Sequence, residues 1–317
     1  MEKLRALLRR LHHSSGMTPL HRIVAAFAVL LTLLRSTILA DSHPFLCCDY
    51  NDGAVKLVSA DGRIEWSHPC KAPQDCWRLP NGHILLCHVA GVTEVTLDHR
   101  VIWAYQAPKE SEVHSCQPLP NGRTLVVEGG TQRILELDSQ GHIAATISLS
   151  SKPGIHTHNQ YRGTRKLANG HYLVCFKGEN RVVELDAQGK ELRSIPVSGD
   201  PHAAVPLEGG RLLITCGDGH KVIEVDDAGR TLWELNEMDI PGNPLRLTAG
   251  CQRLPNGNTV ICNYLGHGHV GTQPCVFEIT RDKRLVWSFR DDAHFQTINQ
   301  IQLLDVPGNV VKGEIRR

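Results

Sequence analysis

Three short stretches of this 317-residue chain carry histidines in matching surroundings: Val113-His114-Ser115-Cys116, Ile155-His156-Thr157-His158 and Pro201-His202-Ala203. Imidazole titrates near neutrality, so such residues can act as a general base or nucleophile, hold an anion such as sulfate, or ligate zinc, copper, iron or nickel. The pair His156 and His158 has the period of a strand, which directs both rings to one side if that segment is extended. Each stretch stands shortly before a recurring leucine, where other parts of the chain place Gln74-Asp75, Thr248-Ala249 and Asn299. His114, His156, His158, His202 and Asn299 are therefore the expected ligand-binding set. Which of them is catalytic or binds metal stays open, and no cofactor is indicated. The blander reading makes them polar residues bonded to channel water, with no ligand. His267-Gly268-His269 is a weaker candidate, on a glycine-flanked loop that can lie over the same mouth or stand exposed.

The other chemistry-bearing residues read as architecture. Cys76, Cys116 and Cys251 each stand three residues before the recurring leucine, and Cys87, Cys175 and Cys262 five after the recurring glycine. Val127 and Thr215 fill the second position elsewhere, so it wants a small, buried, β-compatible side chain. Cys47, Cys70, Cys216 and Cys275 fall outside these sets and leave room for a disulfide. Without a Cys-x-x-Cys, a zinc ribbon or thioredoxin-type centre has no support. Glu94, Glu136, Glu184, Glu224 and Glu278 recur at one per repeat, which suits a solvated or salt-bridged strand position rather than a paired-carboxylate active site. Hydrolase, metalloprotease and phosphate-loop motifs are absent.

What positions these residues is a repeat. Leu79-Pro80-Asn81-Gly82 recurs at Leu119, Leu167, Leu207 and Leu254, with spacings of 40, 48, 40 and 47 residues. A Val-x-Glu phrase follows each copy, and Trp66, Trp103, Trp233 and Trp287 share a later position. Asn-Gly between apolar runs predicts a two-residue type I′ hairpin. Four short strands per unit predict an all-β, six-bladed β-propeller, with seven blades as the alternative if residues 41–54 hide further structure. The first unit lacks its opening strand, and Ile298–Asp305 looks like an opening strand without a unit. Pairing the N- and C-terminal strands would close the ring and remove an exposed edge. The expected boundaries are 41–305 for the propeller and 306–317 for a C-terminal tail.

These phrases resemble the repeats of arylsulfotransferase-like and pyrroloquinoline-quinone-like propellers over about residues 44–305. The resemblance implies the architecture. In arylsulfotransferases a channel histidine accepts the sulfuryl group, which makes one of His114, His158 or His202 a transient nucleophile if that activity carries over.

Residues 23–34 form an uncharged apolar run, short for a membrane span but suited to the core of a signal peptide. We expect residues 1–40 to be a cleaved leader, with Met17 as the true start and no stable membrane span afterwards. A net charge of +1 argues against nucleic acid as a partner. The sequence thus points to an exported propeller, periplasmic or secreted. It would bind a small molecule, anion or metal at a histidine-lined channel mouth, in a binding or scaffold role with a possible protein partner.

Overall fold

The computed structural model describes residues 42–317, so the expected leader lies outside the described residues. Twenty-four strands, β1–β24 in chain order, form six four-stranded antiparallel sheets. This is the six-bladed propeller. The inner strands are β4 (Pro73–Arg78), β8 (Glu112–Pro118), β12 (Tyr161–Lys166), β16 (Ala203–Pro206), β20 (Leu247–Arg253) and β24 (Ile298–Leu303). β24 pairs with β1 (Phe45–Asp49), Phe45 opposite Leu303, so the two ends of the described chain complete one blade. No helix of the described residues is long and apolar enough to cross a membrane.

The hairpin turns differ from the expected type I′. Gly82 N donates to Leu79 O and Leu79 N to His83 O, and of the turn residues Gly82 has positive φ while Asn81 does not. Proline fixes φ near −65°, so Pro80-Asn81 occupies the centre of a type I turn and the glycine follows in the left-handed region. Asn81 Oδ1 then accepts from His83 N, and Asn121, Asn169 and Asn256 repeat this bond.

The residue after each turn glycine explains the recurring glutamates. His83, Arg123, His171, Arg211 and Asn258 each bond the glutamate of their own blade, at 2.6–3.2 Å. Several glutamates also bridge blades: Glu136 takes Lys166, and Glu224 takes Arg253 and Arg281. The tryptophans lock neighbouring blades as well, with Trp66 Nε1 donating to Leu97 O and Trp233 Nε1 to Arg281 O.

The inner strands make few backbone bonds to one another, so side chains join them. Gln117, Gln252 and Gln302 accept from the backbone N–H of Lys166, Leu303 and Arg78 in the next blade. All eleven cysteines are free and buried, so the disulfide allowed for Cys47, Cys70, Cys216 and Cys275 does not form. Burial pushes the Cys87 and Cys48 thiols well above their usual range, which suits packing residues rather than reactive ones.

Candidate functional site

Five of the six inner strands break register near their start. The breaks fall between Pro73 and Asp75, Val113 and Ser115, Tyr161 and Thr164, Thr248 and Cys251, and opposite Cys48/Asp49 in β24. A β-bulge leaves its extra residue unpaired and turns its side chain away from the ladder, and bulges are common beside functional sites. The bulged residues are Gln74, His114, Arg162 with Gly163, Ala249 with Gly250, and Asn299. In the remaining blade, His202 stands immediately before β16.

One position of the repeat accounts for all of them. Gln74, His114, Arg162, His202, Ala249 and Asn299 each lie five residues before the recurring leucine, counting Leu304 as its sixth copy. All six line one cavity of about 530 Å³ at this end of the inner strands. That volume falls in the ordinary range of small-molecule sites. The close approach of blades there requires glycine: a Cβ on Gly163 would meet His202 O at 2.8 Å.

His114, His158, His202 and Asn299 are brought together as expected, whereas His156 is not among the cavity-lining residues. The pairing required an extended segment, but Thr157–Asn159 forms a 3-10 turn with His156 as its N-cap, and His156 Nδ1 accepts from His158 N. The turn removes the strand period on which the His156–His158 pairing depended. His267 reaches the cavity beside Tyr264 and Asp218, while His269 does not line it.

The residue missed from sequence is Arg162. It is 7% exposed, and its guanidinium donates only to the backbone oxygens of His158 and Tyr161. Among the described residues no carboxylate lies within ion-pair distance of it. Burial lowers its pKa to about 10, with Glu112 and Asp200 opposing at longer range. A buried guanidinium lacking a contacting carboxylate carries a desolvation cost of several kcal/mol by general reckoning. The signal was its place in the repeat, five residues before Leu167, which the nearby histidines obscured.

The histidines around Arg162 are held neutral. Burial, reinforced by the Arg162 charge, lowers His114 to about 3, against the opposing pull of Glu112. Burial also lowers His202 to about 4, although its Nε2 donates to Asp200 at 3.1 Å. Asp200 is further bonded by Lys177 at 3.0 Å. His158 Nδ1 donates to Glu112 at 2.8 Å, and the closeness of both imidazoles, His114 first, draws Glu112 down to about 2. Asn299 donates to Pro73 O, and its Oδ1 is buried without a partner.

The opposite end of the inner strands differs. There residues 306–317, expected as a tail, carry a 3-10 turn at Val310–Lys312 and help line a second cavity of about 740 Å³ with Leu119, Leu167 and Leu207. Arg317 lies 3.7 Å from the Trp77 ring and donates to Asp75 Oδ1 at 2.8 Å. Arg165 donates to Asp75 Oδ2 at 3.1 Å and to Ser115 at 2.7 Å. Both cations at this level share one buried carboxylate.

Known structures share the architecture. A protein of unknown function from Bacteroides caccae is 28% identical, with 82% of this chain and 98% of that one covered and a TM-score of 0.75. A virginiamycin B lyase from Staphylococcus aureus is 12% identical over 80% of this chain and 87% of that one, with a TM-score of 0.57, and a chain from a nidogen/laminin complex is 9% identical over 81% and 97%, with a TM-score of 0.60. At such identities these two show the fold alone. No curated protein matches the chain. The profile of the Mal s 1 allergenic protein-like family matches residues 88–263, more than half of the sequence, and the chain belongs to that family.

Proposed function

We propose that this propeller binds a small organic anion, a carboxylate or a phosphate or sulfate ester, at the mouth lined by Arg162, His114, His202 and Asn299. The observation that carries this reading is the buried Arg162 guanidinium, which faces a cavity without a contacting carboxylate. Guanidinium is the side chain best matched to planar or tetrahedral oxyanions. Neutral His202 and His158 add no charge of their own, and each keeps one ring nitrogen as an acceptor for a hydroxyl or N–H of the ligand's organic body. Tyr50 and Tyr264 edge the same cavity and offer apolar surface to an organic body. A thermal-shift panel of phosphate, sulfate, citrate and aromatic carboxylates tests the class. Stabilisation by some members in wild type but not in Arg162→Met supports the reading, and no response to any member counts against it.

Binding without chemistry is the preferred role. An arylsulfotransferase-like reaction would need an open ring nitrogen, and His158 offers one more readily than His114, which is buried, or His202, which is less exposed than His158. Incubation with an aryl sulfate followed by intact-mass analysis decides it: an adduct on His158 supports transfer, and an unmodified mass rejects it. Export belongs to the same proposal and rests on the apolar run 23–34. Sequencing the N-terminus of the mature protein tests the leader, and sequencing that of the unprocessed precursor tests the Met17 start.

A further inference from the structure

We propose that Glu112, His114 and His158 form a binding site for a divalent first-row transition metal of the zinc class. One ligand atom from each residue lies within 4.8 Å of the other two. Two imidazoles and one carboxylate, with the remaining positions open to a cavity, are a ligand set that zinc and non-haem iron both accept.

The decisive feature is an orphaned lone pair. Gln74 Nε2 donates to Ala72 O at 3.3 Å, which turns Gln74 Oε1 toward His114 Nδ1 at 3.2 Å. An amide oxygen only accepts, so Nδ1 carries the proton and Nε2 of the neutral ring carries a lone pair. That Nε2 is buried and makes no hydrogen bond. It faces Glu112 Oε2 at 3.1 Å, off the axis of a hydrogen bond, so two acceptors are held against each other. His158 Nδ1 meets the same carboxylate oxygen at 2.8 Å, and the two imidazoles cross edge-on with centroids 5.2 Å apart. A cation among these atoms converts the repulsive contact into two bonds, and His158 joins them as the neutral tautomer that carries its proton on Nε2 and frees Nδ1.

The local fold presets this geometry. His114 is the bulged residue of β8, Glu112 starts the same strand, and His158 sits in the turn just before β12. Edges of 2.8 and 3.1 Å need to open by only a few tenths of an ångström to reach the ~3.3 Å ligand separation of a tetrahedral zinc site. The bond from His114 Nδ1 to Gln74 Oε1 already fixes the His114 tautomer. The site shares its cavity with Arg162 but does not depend on an anion binding there.

The test uses tag-free protein stripped with a chelator and reloaded with Zn²⁺ or Co²⁺. Elemental analysis should find one metal per chain. Glu112→Gln and His158→Ala should weaken uptake by more than about 10-fold, while His269→Ala, outside the cavity, leaves it unchanged. Absence of uptake by the wild type, or uptake that the first two variants do not alter, overturns the site. If Glu112→Gln fails to fold, the Co²⁺ form of the wild type decides. Paramagnetically shifted imidazole N–H resonances from two histidines support the assignment, and resonances from fewer than two overturn it.

Discussion

Arg162 and Arg165 are three residues apart on β12, and both are buried against the channel, yet their surroundings are opposite. Arg165 meets Asp75, Ser115 and the main-chain oxygen of Arg317, and its charge is cancelled where it sits. Arg162 meets two backbone oxygens and a cavity. A guanidinium with its carboxylate in place is part of the structure. One that is desolvated without a contacting carboxylate is maintained at a cost to stability, and a ligand can offset that cost. Under the proposed function, the same strand serves closure at one level of the channel and recognition at the other.

Substitutions should separate the two levels sharply. Asp75→Asn removes the carboxylate shared by Arg165 and Arg317 and weakens its bonds to the backbone N–H groups of Cys76 and Cys116. Breaking a buried pair from one side costs about 3–5 kcal/mol, which urea denaturation would read as a large drop in midpoint. Arg162→Met should do the reverse, leaving stability unchanged or raising it by about 0–2 kcal/mol. A loss as large as that of Asp75→Asn would make Arg162 a structural residue and erase the distinction.

A third prediction concerns pH. With folded values of about 4 for His202 and about 3 for His114, the unfolded chain binds more protons than the folded one below the ordinary histidine pKa of ~6.5. Stability from these groups is complete above that pH and declines as pH falls toward 4. Glu112, lowered to about 2, adds a further loss only below its own ordinary value. The urea midpoint should fall from pH 7 to pH 5, and His202→Gln should flatten part of that slope. His43 gives a contrast at the ring closure. Burial lowers its pKa, but bonds to Glu278 and Asp305 outweigh burial and raise it, so its contribution is present at low pH and lost as pH rises through the folded value. Acid should thus weaken the mouth while His43 still supports the closure.

Much of this molecule was legible in its sequence. The Leu-Pro-Asn-Gly phrase, the Val-x-Glu strands and the unmatched strand at Ile298–Asp305 were sufficient for six blades closed by their ends, because each marks a turn or a packing position. The turn type does not follow from Asn-Gly alone, because the proline before it fixes φ near −65° and keeps the asparagine out of the left-handed region. Four of the five proposed site residues converge. His156 fails because a short 3-10 turn, set by local capping, leaves no trace in a pattern of period two. Arg162 was within reach, since the interval before each leucine is constant, but arginine in a strand looks like surface until its burial is known. The relation among Gln74, His114 and Glu112 depends on hydrogen-bond direction, which no spacing encodes.

The central claim is that Arg162 is held unpaired for an anion, and calorimetric titration tests it most directly. An anion chosen from the thermal-shift panel would be titrated into wild type, Arg162→Met and Lys312→Met, the last at the opposite end of the channel. The account predicts one site per chain in the wild type, at least tenfold weaker affinity in Arg162→Met and no change in Lys312→Met. Equal binding by wild type and Arg162→Met would contradict it.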